Sequence, residues 1–226
     1  GRWIKALSQG LNVPFCAQGR GKREGNEGSV LFAGELKTRN EHQMKKVISV
    51  FGSSRPHEHD LEYIEARNIG KALAQARFIV CNGGYGGIME ASARGAKEAG
   101  GETIGVTVGA FARRANQWID KEIRKATLVE RIEMLVNTAD GYVIVKGGTG
   151  TLLELAYVWE FINKGFIPEK PIIIVGDFWG KVVETLKDEL LWEGLGDCTK
   201  FVQKVATPEE CATLLTRRLR ESGDRT

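Results

Sequence analysis

The sequence predicts an α/β protein, a doubly wound and mainly parallel sheet with helices on both faces, and three observations carry that expectation. Near-continuous apolar runs recur, KVISVF at 46–51 and PIIIV at 171–175 among them, and such runs read as strands covered on both faces. Longer segments with helical spacing separate them, and strand-helix alternation calls for parallel pairing through crossover helices. Glycine turns follow several of the strands, which is where an open parallel sheet keeps its ligand crevice.

The elements follow in order from Met44. Residues 46–51 form the first strand and end in Gly52-Ser53-Ser54; residues 61–76 carry Ile64, Ile69, Leu73 and Ala76 at helical spacing. Residues 78–81 are the second strand, 87–99 a helix rich in small residues, and 103–108 the third strand. The stretch 118–139 reads as mostly helical around a possible short strand at 126–129. A strand at 142–145 leads through a glycine turn into a helix ending near Asn163, and 171–175 is a further buried strand. An amphipathic helix at 179–191 and a short strand at 201–205 come next. The last helix opens at Thr207-Pro208-Glu209-Glu210, with Thr as N-cap, Pro at the first helical position and Glu two residues on.

The 226 residues suffice for one well-buried domain, expected from about Met44 to Gly223 within 44–226. Of the 32 basic and 29 acidic residues, 7 and 4 lie in the first 43, which leaves 25 of each sign in the remainder. A neutral body argues against nucleic acid as partner and leaves a small phosphorylated ligand open. Residues 1–43 hold seven glycines and no sustained period; we expect a disordered leader or an extension foreign to the native chain, with Met44 the natural start. Nothing there resembles a secretory signal, and no apolar stretch approaches the roughly 18 residues of a membrane span. Cys16, Cys81, Cys198 and Cys211 lack CxxC spacing, which fits a reducing, cytoplasmic setting and argues against zinc or a disulfide framework.

Candidate chemistry concentrates on the turns at the carboxyl ends of the strands. Lys146-Gly147-Gly148-Thr149-Gly150-Thr151 follows a strand and opens a helix, so unpaired amides and the helix dipole converge on a spot suited to phosphate. Glu154 lies about one turn further, within reach of a sugar attached to that phosphate. Asn82-Gly83-Gly84-Tyr85-Gly86-Gly87 sits at the same rim after the second strand. The turn is not a Walker loop, for GxxxxGK[ST] is absent, and the dinucleotide pattern fails at Leu153, where its third glycine belongs.

The run Val143 to Glu154 resembles the PGGxGTxxE signature of the Lonely Guy proteins, cytokinin-activating nucleotide phosphoribohydrolases. Val50-Phe51-Gly52-Ser53-Ser54, the run Gly83 to Ala91, and Arg131 nine residues ahead of Asp140 agree with it. The resemblance covers most of Met44 to about Val175. It implies a Rossmann-like homodimer that cleaves the N-glycosidic bond of a purine-type nucleoside 5′-monophosphate, without metal or other cofactor. It places the family's functional residues on Arg131 and Glu154, and a phosphate site on Gly147, Gly148, Thr149, Gly150 and Thr151. Gly84, Gly86, Gly87, Ser53 and Ser54 would assist. Lys146 stands where the motif has proline, and the wider superfamily includes proteins that bind nucleotides or a molybdenum cofactor without hydrolysing them.

Physical chemistry supports the same two residues. Departure of a base from ribose builds positive charge at the anomeric carbon, which a nearby carboxylate stabilises while orienting water. An arginine fork can hold that carboxylate, ribose hydroxyls or phosphate. Met134, one turn after Arg131, is a core residue or a wall of the base pocket. His57-Glu58-His59-Asp60 reads as a solvated helix start rather than a metal site, and Arg113-Arg114 as a solvated loop. Trp159, Phe161, Phe178, Trp179 and Trp192 read as core, with a subunit contact as the alternative.

Overall fold

The computed structural model describes residues 45–111, 113–191 and 198–223. The expected leader at 1–43, the start at Met44, and Trp192 lie outside them. Seven strands form one sheet in the order β4-β3-β2-β1-β5-β6-β7, and every pair is parallel. The strands are β1 (Val47–Phe51), β2 (Ile79–Asn82), β3 (Thr103–Val108), β4 (Lys121–Lys125), β5 (Gly141–Ile144), β6 (Ile172–Val175) and β7 (Val202–Val205). The helices are α1 (Leu61–Gln75), α2 (Ile88–Glu98), α3 (Leu128–Thr138), α4 (Thr149–Asn163), α5 (Phe178–Leu191) and α6 (Pro208–Gly223), with a 3₁₀ turn at Cys198–Phe201.

The order reverses at β1. The chain steps outward through β2, β3 and β4, then returns to the free side of β1 with β5 and steps the other way. Right-handed crossovers in opposite directions place α1 and α2 on one face and α3, α4 and α5 on the other. The core follows that division. Ile48, Val50, Val80, Val143, Val145 and Ile173 meet Tyr63, Leu73, Ile88 and, from α6, Leu215 on one face. Phe51, Cys81, Val106, Tyr142, Ile144 and Ile174 meet Leu135, Leu155, Val158 and Trp179 on the other. Alternate residues of each strand thus serve opposite layers, which explains why the runs read as continuously apolar. Helices α1 and α2 touch backbone to backbone: a Cβ at Gly95 would lie 1.8 Å from the Arg67 carbonyl oxygen.

One segment departs from the sequence reading. Residues 118–139, expected to be mostly helical around a short strand at 126–129, carry the strand earlier, as β4, paired to β3 from Ile104↔Lys121 to Val108↔Lys125, while 126–129 form the bend and first residues of α3. The five residues of β4, KEIRK, are mostly strong helix formers, and Ile123 alone is apolar, so local pattern favours helix. An edge strand tolerates such charge because only one side of it pairs. The helix proper starts after Thr127, whose hydroxyl accepts the Glu130 N–H while the Glu130 carboxylate accepts the Thr127 N–H. A related cap opens α6: Thr207 accepts the Glu210 N–H at 3.2 Å, and Glu210 reaches back to accept the N–H of Ala206, the residue before the cap, at 2.9 Å. Among the described residues no helix is long and apolar enough to cross a membrane.

Candidate active site

The reversal of strand order opens a crevice beyond the carboxyl ends of β1 and β5. Ser53 ties its walls together through the main chain. Its N–H donates to the Lys146 carbonyl at 3.2 Å and its carbonyl accepts the Ile88 N–H at 2.8 Å, so one residue joins the turns after β1, β2 and β5. Gly87 has φ +69°, and a Cβ there would lie 2.4 Å from the Ser53 carbonyl oxygen. Only glycine allows α2 to begin so near β1. Helix α4 begins after Gly148, and no side chain caps it. Gly148, Thr149 and Gly150 are exposed and Thr151 is buried, so the first-turn amides, which lack partners within a helix, belong to an open rim.

Arg131 and Glu154 meet beside that rim from α3 and α4. The Arg131 Nη1 lies 3.9 Å from Glu154 Oε1, with side chains only 10% and 13% exposed. Arg131 is held from several directions. Its Nε donates to the Val106 carbonyl at 2.8 Å, Nη2 lies 3.8 Å from the Met89 sulfur, and the guanidinium sits 5.7 Å from the centre of the Tyr85 ring. The Tyr85 hydroxyl is itself fixed to the end of β3, donating to the Val108 carbonyl and accepting its N–H at 2.9 Å. A Cβ at Gly83 would fall 1.7 Å from Arg131 Nη2; the glycine makes room for the guanidinium.

At 3.9 Å the two groups attract without a close hydrogen bond. Among the described residues nothing hydrogen-bonds the Glu154 carboxylate, so its lone pairs stay available to a ligand. Burial raises the Glu154 carboxyl from an ordinary 4.5 to about 7, against the opposing pull of the Arg131 cation. Near neutrality it therefore divides between acid and carboxylate, the condition that suits a group handling protons.

The structure brings Gly147, Gly148, Thr149, Gly150 and Thr151 to one rim with Ser53, Ser54, Gly86 and Gly87. Gly84 is carried toward β3, its carbonyl accepting the Asn116 N–H at 2.7 Å. Lys146 projects away from Glu154 and pairs with Glu62 of α1 at 2.7 Å. Met134 is half-buried, with Thr138 donating to its sulfur at 3.3 Å. Trp159 and Trp179 are buried, and the Trp179 indole donates to the Val145 carbonyl at 2.9 Å; Phe178 is 46% exposed. Glu58 pairs with Arg94, and Asp60 accepts the His57 N–H at 2.8 Å. Arg113 and Arg114 are exposed. Sequence reasoning missed Tyr85, Met89 and the Val106 carbonyl as supports of Arg131; the glycine at 83, too small to leave without a reason, was the available signal. A cleft of about 290 Å³ also opens here, lined by Ser53 and Gly147 together with Arg55, Lys146, Asp60 and Glu62, and it includes neither Arg131 nor Glu154.

Comparison with known proteins follows the same outline. The model of the SLOG cluster4 family matches residues 45–210. An uncharacterized protein of Archaeoglobus fulgidus is 33% identical over 117 residues, 50% of this chain and 75% of that one. A cytokinin riboside 5′-monophosphate phosphoribohydrolase of Mycobacterium tuberculosis is 31% identical over 138 residues, 59% of this chain and 71% of that one. Among solved structures, the molybdenum cofactor binding protein of Rippkaea orientalis superposes with a TM-score of 0.62 at 24% identity, covering 78% of this chain and 99% of that one. It shares the fold.

The raised carboxyl has a consequence for stability. A group whose folded value lies above its unfolded one stabilises fully below the unfolded value, and that contribution is lost as pH rises through the folded one. Ionised Glu154, at about 7 instead of 4.5, costs the fold on the order of 3 kcal/mol. Glu154→Gln is therefore expected to match the wild type in Tm below the ordinary 4.5, to exceed it increasingly as pH rises from there through about 7, and to hold a constant lead above that. A Tm difference independent of pH in calorimetry would contradict the assignment.

Proposed function

The chain belongs to the SLOG cluster4 family, and we propose that it hydrolyses the N-glycosidic bond of a purine-type nucleoside 5′-monophosphate, releasing free base and ribose 5-phosphate. The observation that carries this reading is the nearly dry pairing of Arg131 with Glu154 at 3.9 Å beside an uncapped helix start. The amides of Gly148, Thr149, Gly150 and Thr151 hold the 5′-phosphate, with Gly147, Ser53, Ser54, Gly86 and Gly87 around it and Gly84 behind them. That anchor sets the ribose over Glu154. As the bond to the base stretches, charge grows on the anomeric carbon, and the ionised carboxylate stabilises it and orients a water for attack. Water adds its hydroxyl to the anomeric carbon, and its proton goes to the departing base nitrogen. Arg131 favours the ionised form of the carboxylate against the effect of burial and offers its remaining donors to ribose hydroxyls. No metal or organic cofactor enters this scheme.

A carrier of a nucleotide-containing cofactor is the second reading. Lys146 favours it: the residue replaces the signature proline and ties the phosphate turn to α1 through Glu62, and the Rippkaea orientalis neighbour is a molybdenum cofactor binding protein. Incubation with AMP and N6-isopentenyl-AMP, followed by assay of base and ribose 5-phosphate, separates the two. The hydrolase reading expects turnover whose kcat/KM climbs with pH through about 7 as Glu154 ionises. It also expects Glu154→Gln to lower kcat by about 100-fold or more while still binding AMP. Binding of purine and pyrimidine monophosphates with no base release would establish the carrier instead.

We propose further that the chain is a homodimer. Leu152 and Leu153 on α4 are 42% and 53% exposed, and Phe166 beyond its end is 72% exposed. Exposed apolar side chains at the start of the helix and beyond its end are of the kind a second subunit covers. Light scattering is expected to give the mass of two chains; a single-chain mass at micromolar concentration would refute the dimer.

A further inference from the structure

We propose that the cleft on the α1 side of the phosphate turn is a second phosphate subsite, so that this chain prefers a nucleoside 5′-diphosphate to the monophosphate. The inference rests on the phosphate anchor assigned above and extends it. The cleft, about 290 Å³, shares Ser53 and Gly147 with that anchor. Its other walls are the β1–α1 loop with Arg55, Pro56 and Asp60, Glu62 at the start of α1, Lys146 of the turn and Phe178 of α5, and neither Arg131 nor Glu154 lines it. A phosphate on the α4 amides therefore has Glu154 on one side and the cleft on the other. The ribose takes the first side, and whatever extends the phosphate takes the second.

The charges lining the cleft balance, and its two cations are the groups a second anion would meet. Lys146 and Arg55 supply two cations, and Asp60 and Glu62 two carboxylates. Each carboxylate has a partner, and that of Glu62 is the very ammonium a phosphate would draw away. Asp60 accepts the His57 N–H at 2.8 Å, and Glu62 accepts from Lys146 at 2.7 Å. The Arg55 side chain has no ion-pair or hydrogen-bond partner among the described residues, so one cation is uncommitted. The other is held weakly. The Lys146 and Glu62 side chains are 54% and 32% exposed, and an ion pair so open to water exchanges partners at little cost. A terminal phosphate, with more charge and three acceptor oxygens, is the better partner for the ammonium. Lys146 occupies the position where the signature has proline, so this chain carries a cation where the motif has none, at the point where the cleft meets the turn. In the diphosphate the scissile bond is unchanged: water adds across the same bond to the base, and the sugar leaves as ribose 5-diphosphate.

Calorimetric titration of the full chain with AMP and ADP at physiological salt tests the subsite. ADP is expected to bind about tenfold tighter or more, and Lys146→Met combined with Arg55→Ala to bring the two affinities within about twofold of each other. Glu62→Gln, which releases Lys146 without removing it, is expected to widen the preference for ADP. Equal binding of AMP and ADP by the wild type, or an ADP preference that survives the double substitution, would overturn the subsite. A chain that binds and cleaves AMP without favouring ADP overturns the subsite alone. One that favours ADP but releases no base keeps the subsite and overturns the hydrolase reading, and failure to bind either nucleotide overturns both.

Discussion

A guanidinium and a carboxyl lie in a nearly water-free space between α3 and α4, and the remainder of the rim is organised around accommodating them. Burying either alone carries a desolvation cost that a protein avoids by pairing or by neutralising the group. Here the pairing is incomplete. Arg131 is secured by the Val106 carbonyl and by the Tyr85 face, and stands 3.9 Å from Glu154. Glu154, with little else to satisfy it, is held between protonation states at about 7. A pair built for stability alone would close to hydrogen-bond distance. This one leaves lone pairs on the acid and donors on the base facing a crevice, which is an arrangement for a ligand with hydroxyl groups.

The fold delivers this pair through topology. Because β1 lies between β2 and β5, the turns after all three strands converge, and Ser53 laces them together with main-chain bonds alone. Side chains are thereby spared for chemistry. The α4 start supplies partial positive charge for an anion, and one and a half turns later the same helix presents Glu154. Phosphate anchor and acid are thus fixed to each other by a single rigid element, so orientation is set before any substrate arrives.

Much of this was legible in the residues. The apolar runs marked six of the seven strands because both faces of the sheet are covered, and the glycine turns marked the rim because close approach between β1 and α2 admits nothing larger than Gly87. Arg131 and Glu154 came from the signature and from the chemistry of glycosidic cleavage, and their proximity is what the structure adds. Strand β4 was not legible: KEIRK carries helix-forming side chains, and only its pairing to β3 makes it a strand. The supports of Arg131 were hidden for a related reason. Tyr85, Met89 and the Val106 carbonyl reach it across about 25 to 46 positions of sequence, and no local pattern encodes such contacts. The Lys146 to Glu62 pair, 84 positions apart, was equally out of reach.

Glu154 is an acid that burial holds near neutrality against the pull of Arg131. Carbon-13 NMR of side-chain carboxyls in the full chain, with the Glu154 signal assigned by its absence in Glu154→Gln, reads this directly. The expected titration midpoint is about 7, moving higher when Arg131 is replaced by Met and its attraction is lost. A midpoint at the ordinary 4.5, unmoved by that replacement, would contradict it.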